Sequence, residues 1–359
     1  MKIICPYCFG SIDKDDLLYQ CGSCGHNSKP TLIERATKKV TCKECGKLAF
    51  KILCPKCEGE LPRDMIYTPN LLFSIVGVSG AGKTNYITVM LEELRKTANL
   101  QLSIAPQNKY TRETHSANRQ LIYEEHKKPG STRSGQPTPQ IWRIQNLNRQ
   151  AFNTIKTYTF SIFDGAGEDH ENIDENSPEC RYISVSKAIM VVIDPMILQS
   201  VRNSLDKEVY EKSISGVGAS MYKDSSDVVH NIASYIKSSR GLRFNQKINV
   251  PVAVVFTKMD ALMHEFRNRP VSSPSPHIDY FHESDSRAVD NDIRSWMQDK
   301  GETAFINGLE ANFNEFVFFG VSSFGAVPVS IDQLSPIHPH RVLDPALWLF
   351  AKNKFIDSK

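Results

Sequence analysis

Gly77-Val78-Ser79-Gly80-Ala81-Gly82-Lys83-Thr84 decides how the rest of the chain is read. The octapeptide fits G-x-x-x-x-G-K-[ST], and the chemistry requires these residue types. Glycines let the backbone turn tightly and aim N–H groups inward at phosphate oxygens. Lys83 brings a point charge to the β and γ phosphates, and the Thr84 hydroxyl can ligate Mg²⁺. The expected phosphate-side contacts are therefore Gly77, Ser79, Gly80, Ala81, Gly82, Lys83, Thr84 and Asn85. Residues 71–76 just before the loop are a strand-like apolar run. Residues 84–98 after it carry Ile87, Met90, Leu91 and Leu94 at helical spacing, so a helix N-terminus faces the same anion.

Downstream the pattern repeats. Apolar runs of strand length stand at 141–144, 158–163, 188–193, 250–256 and 316–321, separated by helical or loop stretches. Several are apolar on consecutive positions, as strands covered on both faces are. This order predicts a doubly wound, mostly parallel α/β sheet. Residues 127–139, 269–277 and 335–340 are rich in Pro, Ser or Gly and read as surface insertions.

The run 158–163 ends in Asp164-Gly165-Ala166-Gly167. An Asp at the carboxyl end of such a strand lies beside the phosphate site and can hold Mg²⁺ directly or through water. The Gly167 N–H can meet a γ-phosphate, a contact made with a triphosphate and lost after hydrolysis. Glu168 follows. A carboxylate there can orient a water, but its charge repels the γ-phosphate, so slow turnover is expected. Thr138, just before the run 141–144, is the chosen second Mg²⁺ ligand, with Thr132, Thr111 and Thr114 as rivals.

The run 250–256 leads into Thr257-Lys258-Met259-Asp260, which fits [NT]-K-x-D. Guanine presents N1–H and its 2-amino group on one edge, and one carboxylate accepts both. Asp260 is the expected reader, the Lys258 stem packs along the base, and the Thr257 hydroxyl braces the phosphate loop. Ser322 and Ser323, within Gly320-Val321-Ser322-Ser323-Phe324, are the expected final base contact, through a backbone N–H to guanine O6.

Together these elements resemble the TRAFAC-class, Ras-like GTPases over residues 71–354, with 344–350 as a closing amphipathic helix. The chain is most similar to bacterial zinc-ribbon-bearing double-GTPase-type proteins of conflict systems. That resemblance implies GTP/GDP and Mg²⁺ as ligands, Lys83, Gly167 and Glu168 as catalytic residues, and a partner GTPase or effector encoded elsewhere. Three departures stand out. Ser322-Ser323-Phe324 replaces Ser-Ala-Lys, Glu168 replaces Gln, and the interval from Thr84 to Asp164 is about twice that of a minimal small GTPase. Useful rates would call for an arginine from a partner, with Arg112, Arg119 and Arg133 as internal candidates. Two other readings remain open: a P-loop ATPase, and a non-hydrolysing adaptor acting through its N-terminal segment.

That segment is set apart by its thiols. Of the chain's 9 cysteines, all but Cys180 fall in four C-x-x-C pairs, Cys5/Cys8, Cys21/Cys24, Cys42/Cys45 and Cys54/Cys57. Each pair can hold one edge of a tetrahedral Zn²⁺. Two Cys₄ sites are expected, with sequential pairing the simplest and interleaved pairing possible. The expected organisation is a zinc ribbon at 1–28, a second at 40–60, a linker at 61–70 and the GTPase-like domain at 71–359. His26 reads as a surface residue and Cys180 as a plain thiol. Lys38, Lys39, Lys43, Lys47, Lys51 and Lys56 make nucleic-acid contact conceivable, but interspersed acids and few aromatics favour a docking module.

Over the 359 residues, Lys+Arg total 43 against 40 Asp+Glu, a net charge of +3. This balance gives no whole-protein argument for nucleic acid or membrane. No apolar run approaches the ~18–20 residues that span a bilayer, and Met1-Lys2-Ile3-Ile4-Cys5-Pro6 lacks an apolar signal region. The expected location is the cytoplasm, with no membrane association.

Overall fold

The computed structural model describes residues 2–37, 39–77, 80–97, 99–130, 138–151, 154–164, 178–213, 225–330 and 333–359. The N-terminal part consists of short strands, β1 (Lys2–Ile4), β2 (Ser11–Asp13), β3 (Leu18–Cys21), β4 (Asn27–Ser28), β5 (Val40–Thr41), β6 (Leu48–Leu53) and β7 (Glu60–Leu61), with one helix, α1 (Leu32–Thr37). β1 pairs with β2, and β4-β3-β6-β5 form a small sheet that β7 joins through β6.

Four C-x-x-C turns punctuate these strands, and all share one hydrogen-bond pattern. The residue after the second cysteine donates its N–H to the first cysteine's carbonyl: Phe9 to Cys5, Gly25 to Cys21, Gly46 to Cys42 and Glu58 to Cys54, at 2.9–3.0 Å. Those four residues have φ of +57°, +75°, +71° and +58°. Beneath the turns Ile3, Ile12, Leu17, Ile52 and Leu61 form a buried cluster. It is completed by Met65 and Ile66 of a 3-10 turn, so residues expected as linker are packed. Asp64 and Thr68 then tie this stretch to Arg143 (3.1 Å) and Thr159 (3.0 Å).

The larger sheet is built from β8 (Asn70–Val76), β9 (Leu102–Pro106), β10 (Gln140–Ala151), β11 (Thr154–Asp164), β12 (Ala188–Ile193), β13 (Val252–Phe256) and β14 (Phe316–Gly320). Its order is β14-β13-β12-β8-β11-β10-β9. The pairs from β14 to β11 are parallel, and β10 runs antiparallel to both β11 and β9. Every residue of β12 and β13 is buried, which is why their sequences are continuously apolar.

The helices are α2 (Lys83–Lys96), α3 (Lys109–Arg119), α4 (Pro178–Val185), α5 (Gln199–Ser204), α6 (Lys207–Ser213), α7 (Ser225–Ser239), α8 (Glu283–Asp299), α9 (Thr303–Asn312) and α10 (Asp344–Lys352). α7 packs on α4 and α9, α8 on β14, and α10 against β13. Phe73, Phe160 and Phe350 meet at ring distances of 5.0–5.7 Å and lock β8, β11 and α10 together. Such aromatic pairs each add about 0.5–1.5 kcal/mol beyond simple burial. Successive parallel strands leave β8 in opposite directions, β11 to one side and β12 to the other. Ligands of open α/β sheets bind at the carboxyl ends beside such a reversal.

The doubly wound sheet matches the fold class expected from sequence, with differences in detail. β10 and β11 extend far beyond their apolar runs as a bulged hairpin, and edge strand β9 is half-exposed along its length. Residues 269–277, expected at the surface, hold fully buried Val271 and nearly buried His277. The cause is Arg341, which donates to the carbonyls of Pro270 (3.0 Å) and Ser273 (2.9 Å) and to the carboxylates of Asp285 (2.8 and 3.0 Å) and Asp344 (2.6 Å). Residues 335–340 are also secured, since His340 forms a backbone bridge with Ser322. No helix among the described residues is long and apolar enough to cross a membrane.

Candidate nucleotide site and cysteine tetrads

The glycine loop joins the end of β8 to the start of α2. Gly77 is required by contact: a Cβ there would lie 2.1 Å from the carbonyl oxygen of Val192 on β12. Gly80 and Gly82 adopt left-handed φ of +76° and +79°, and Gly82 caps α2. Lys83 is buried and donates from Nζ to the Gly77 carbonyl at 2.8 Å, across the mouth of the loop. Val78 and Ser79 lie outside the described residues.

The Thr257 hydroxyl donates to the Ala81 carbonyl at 2.8 Å, the brace the motif suggested. It ties the end of β13 to the phosphate loop. Lys258 takes a left-handed φ of +56°, and its Nζ donates to Asp194 Oδ2 at 2.6 Å. Asp194 follows β12, and its Oδ1 also accepts the Met196 N–H at 2.9 Å. Sequence reasoning missed Asp194. The signal was there, an acid directly after the run 188–193, the same position that singled out Asp164.

Asp260 accepts a hydrogen bond from the Ser322 hydroxyl at 2.5 Å. Burial pushes its carboxyl above the ordinary carboxylate value, and the Ser322 hydroxyl opposes that rise. N–H groups of a ligand placed against this buried carboxylate would favour its charged form. Ser322 itself is fully engaged. Its N–H donates to the His340 carbonyl (3.0 Å), its carbonyl accepts from the His340 N–H (2.8 Å), and its hydroxyl oxygen accepts from the Gly325 N–H (2.8 Å). Ser322 thus ties Asp260 to the segment carrying His340, with its own N–H taken up by that segment.

A cleft joins the two ends. Gly82 and Asn85 line it on the phosphate side, and Thr257, Lys258, Asp260 and Ser323 on the other. Lys128, Ser213 and Pro328, which belong to no recognisable motif, complete the lining with Phe324 of the Ser322-Ser323-Phe324 segment.

The metal and hydrolysis side is partly placed. Asp164 ends β11, paired in register with Ile75 of β8, two residues before Gly77. Gly165, Ala166, Gly167 and Glu168 lie outside the described residues, as do Thr132 and Arg133. Thr138 is half-buried just ahead of β10. Thr111 is removed as a rival, because it is buried and its hydroxyl accepts the Ile141 N–H at 2.8 Å. Arg119 is bound by Glu92 (3.1 Å) and Glu124 (2.7 Å), whereas Arg112 is exposed on α3.

The cysteines gather into two tetrads, Cys5/Cys8/Cys54/Cys57 and Cys21/Cys24/Cys42/Cys45. First pair joins fourth and second joins third, so sequential pairing gives way to a nested one. The physical reason is the pairing of β3 with β6, which brings the middle turns together at one end of the small sheet and the outer turns at the other. Sγ–Sγ distances across the pairs are 3.7 and 3.8 Å in the first tetrad and 3.4 Å twice in the second. A tetrahedral zinc with bonds of about 2.3 Å sets its sulfurs about 3.8 Å apart, so the donor set fits Zn²⁺. His26 is in neither tetrad, and Cys180 is buried apart from both.

Comparison with known proteins adds to this geometry. The chain is 21% identical over 248 residues to "Putative ESX-1 scaffolding and assembly protein SaeC" of Mycolicibacterium smegmatis, covering 66% of this chain. It spans 57% of that relative's length. Among solved structures, the Arl6 BBS3 small GTPase of Trypanosoma brucei is 12% identical, with a TM-score of 0.33, over 79% of this chain and 98% of that one. The Ski7 GTPase-like domain of S. cerevisiae, solved with GTP, is 13% identical, with a TM-score of 0.30, over 71% of this chain and 43% of that one. At such scores the sheet order and the cleft remain the grounds for the fold. Residues 71–327 match the family described as Double-GTPase 2, and the chain belongs to that family of P-loop, GTPase-type proteins.

Proposed function

We propose that the protein is a Mg²⁺-dependent GTP-binding and GTP-hydrolysing switch carrying a two-zinc docking module. The observation that carries the reading is the placement of Asp260 in the wall of the cleft that Gly82 and Asn85 close at its other end. A buried carboxylate lining the same cleft as the phosphate loop suits the N1–H and 2-amino group of guanine. Lys258, anchored by Asp194, presents its aliphatic stem to the base plane.

The phosphates lie on the loop N–H groups and the N-terminus of α2, with Lys83 moving from the Gly77 carbonyl to the β and γ oxygens. Thr84, Thr138 and Asp164 would hold Mg²⁺, which neutralises charge between those phosphates. What supports this set is that Asp164 ends β11 in register with Ile75 of β8, two residues before Gly77. Gly167 donates to the γ-phosphate and Glu168 orients the attacking water. The carboxylate's charge slows that step, and a partner's arginine would speed it.

The cysteine tetrads would each hold one Zn²⁺. The surface around the second tetrad favours docking, since Leu32, Ile33, Leu48 and Phe50 are 58–81% exposed there. An effector or partner GTPase is the proposed occupant, in keeping with the scaffolding role in the printed name of the mycobacterial relative.

Displacement of a fluorescent GDP by GTP and by ATP tests the base reading, and equal displacement would end it. Single-turnover phosphate release, compared with Lys83→Ala, tests hydrolysis. No difference between the two proteins would leave the non-hydrolysing adaptor as the better reading.

A further inference from the structure

The four cysteine turns use the same left-handed position, but they fill it differently. Gly25 and Gly46 occupy it around the second tetrad, while Phe9 and Glu58 occupy it around the first. Glycine adopts this conformation freely, and a residue with a Cβ is strained there. Glu58 is exposed and polar. Phe9 is a bulky aromatic, 6% exposed, held in a conformation that glycine would adopt at no cost. Strain retained at such a position points to a side chain the site requires.

The Phe9 ring is inserted into the larger domain. It meets Tyr182 of α4 edge-on at 5.2 Å and is buried with Leu72 of β8. Tyr182 is buried too, and its hydroxyl lies 2.6 Å from two carbonyl oxygens, those of Phe73 on β8 and Ser161 on β11. One phenolic proton serves both, so the hydroxyl adds a side-chain tie to two strands already joined by their parallel ladder. Phe73 stands four residues before Gly77, and Ser161 three before Asp164. The tied strands are thus the pair that ends in the phosphate loop and in the metal-side carboxylate. A second tie runs from Tyr7, in the same cysteine turn, whose hydroxyl oxygen accepts from Asn108 Nδ2 at 3.3 Å. Asn108 caps α3 by accepting the Thr111 N–H at 2.7 Å.

We infer that Phe9 is a positioning residue for the nucleotide site, through which the metal-loaded first tetrad holds Tyr182 in its bonds to β8 and β11. The inference rests on the nucleotide reading above. Zinc at Cys5/Cys8/Cys54/Cys57 and nucleotide at the glycine loop are then linked, and each raises the other's affinity by one common factor.

The test uses the full chain and substitutes Phe9→Gly, which relieves the turn's strain and removes the ring. Zinc content by elemental analysis stays at the wild-type value. Release of fluorescent GDP accelerates by roughly 5-fold or more, the lower end of ordinary coupling between sites. Tyr182→Phe, which keeps the ring contact and loses the bonds to both carbonyls, accelerates release in the same direction. Saturating GDP shifts the equilibrium transfer of zinc to a chromogenic chelator in the wild type, and the shift disappears in Phe9→Gly. Wild-type release rates in both variants, with zinc retained, would overturn the inference. A wild-type protein that binds no guanine nucleotide would overturn the underlying reading instead, which makes the two failures distinct.

Discussion

Asp260→Asn is the sharpest probe of the proposed base pocket. The Ser322 hydroxyl, 2.5 Å from Oδ1, fixes how the new amide sits. Its oxygen stays with the serine, and its NH₂ faces the ligand. Guanine then meets a donor where it needs an acceptor. Hydrogen bonds to a charged group contribute about 1.5–3 kcal/mol each, and two are weakened. Because Ser322 already shares the carboxylate, the lower end applies, about 3 kcal/mol or roughly 150-fold in GDP affinity. Xanthine carries a carbonyl where guanine has its amino group, so the amide can donate to it and XDP affinity rises. Equilibrium displacement of a fluorescent nucleotide by GDP and by XDP gives both numbers in one experiment. If the variant ranks GDP over XDP as the wild type does, Asp260 does not read the base and the reasoning fails.

Nested metal pairing predicts that Cys5→Ser/Cys57→Ser keeps one zinc per chain by elemental analysis, whereas Cys5→Ser/Cys21→Ser loses both; sequential pairing demands losses from both ions in the first variant. Gly77→Ala places a Cβ 2.1 Å from the Val192 carbonyl, and backbone on both sides cannot yield cheaply. A loss of about 3 kcal/mol, seen as a lower urea midpoint, is expected along with lost nucleotide binding. Burial lowers the pKa of His115 below 6.5, despite Glu92 Oε2 at 3.5 Å, with Arg95 and Arg119 adding to the lowering. The unfolded chain therefore takes up the proton first as pH falls. Stability holds above pH 6.5 and declines from there toward the lowered value. Thermal melts across this window should show that slope, and His115→Gln should reduce it, with His277, also lowered by burial, supplying part of the remainder.

Six of the larger sheet's strands were legible from their apolar runs, which are uninterrupted where both faces are buried, as in Ala188–Ile193. β9 escaped because an edge strand half-open to solvent has no such signature. The outer halves of β10 and β11 escaped for a related reason, since their pairing is held by backbone bonds between polar residues such as Gln145 and Thr157. At the site, Lys83, Thr257 and Asp260 were legible because their motifs carry fixed spacing. Lys128 and Ser213 reach the cleft from segments with no motif, and only the folded chain brings them there. The pairing of the cysteines was illegible for another reason. All four C-x-x-C units look alike, and their partners are chosen by how β3 and β6 align, a long-range fact that spacing does not encode.

That alignment also dictates a schedule for a chain emerging from the ribosome. Cys21, Cys24, Cys42 and Cys45 are all synthesised before Cys54, so the inner tetrad can load and close while the outer one is still incomplete. Closing the inner loop first shortens the free segment between Cys8 and Cys54, which lowers the entropic cost of the second closure. On the proposed two-zinc reading, the ions are acquired like parentheses read from the inside out.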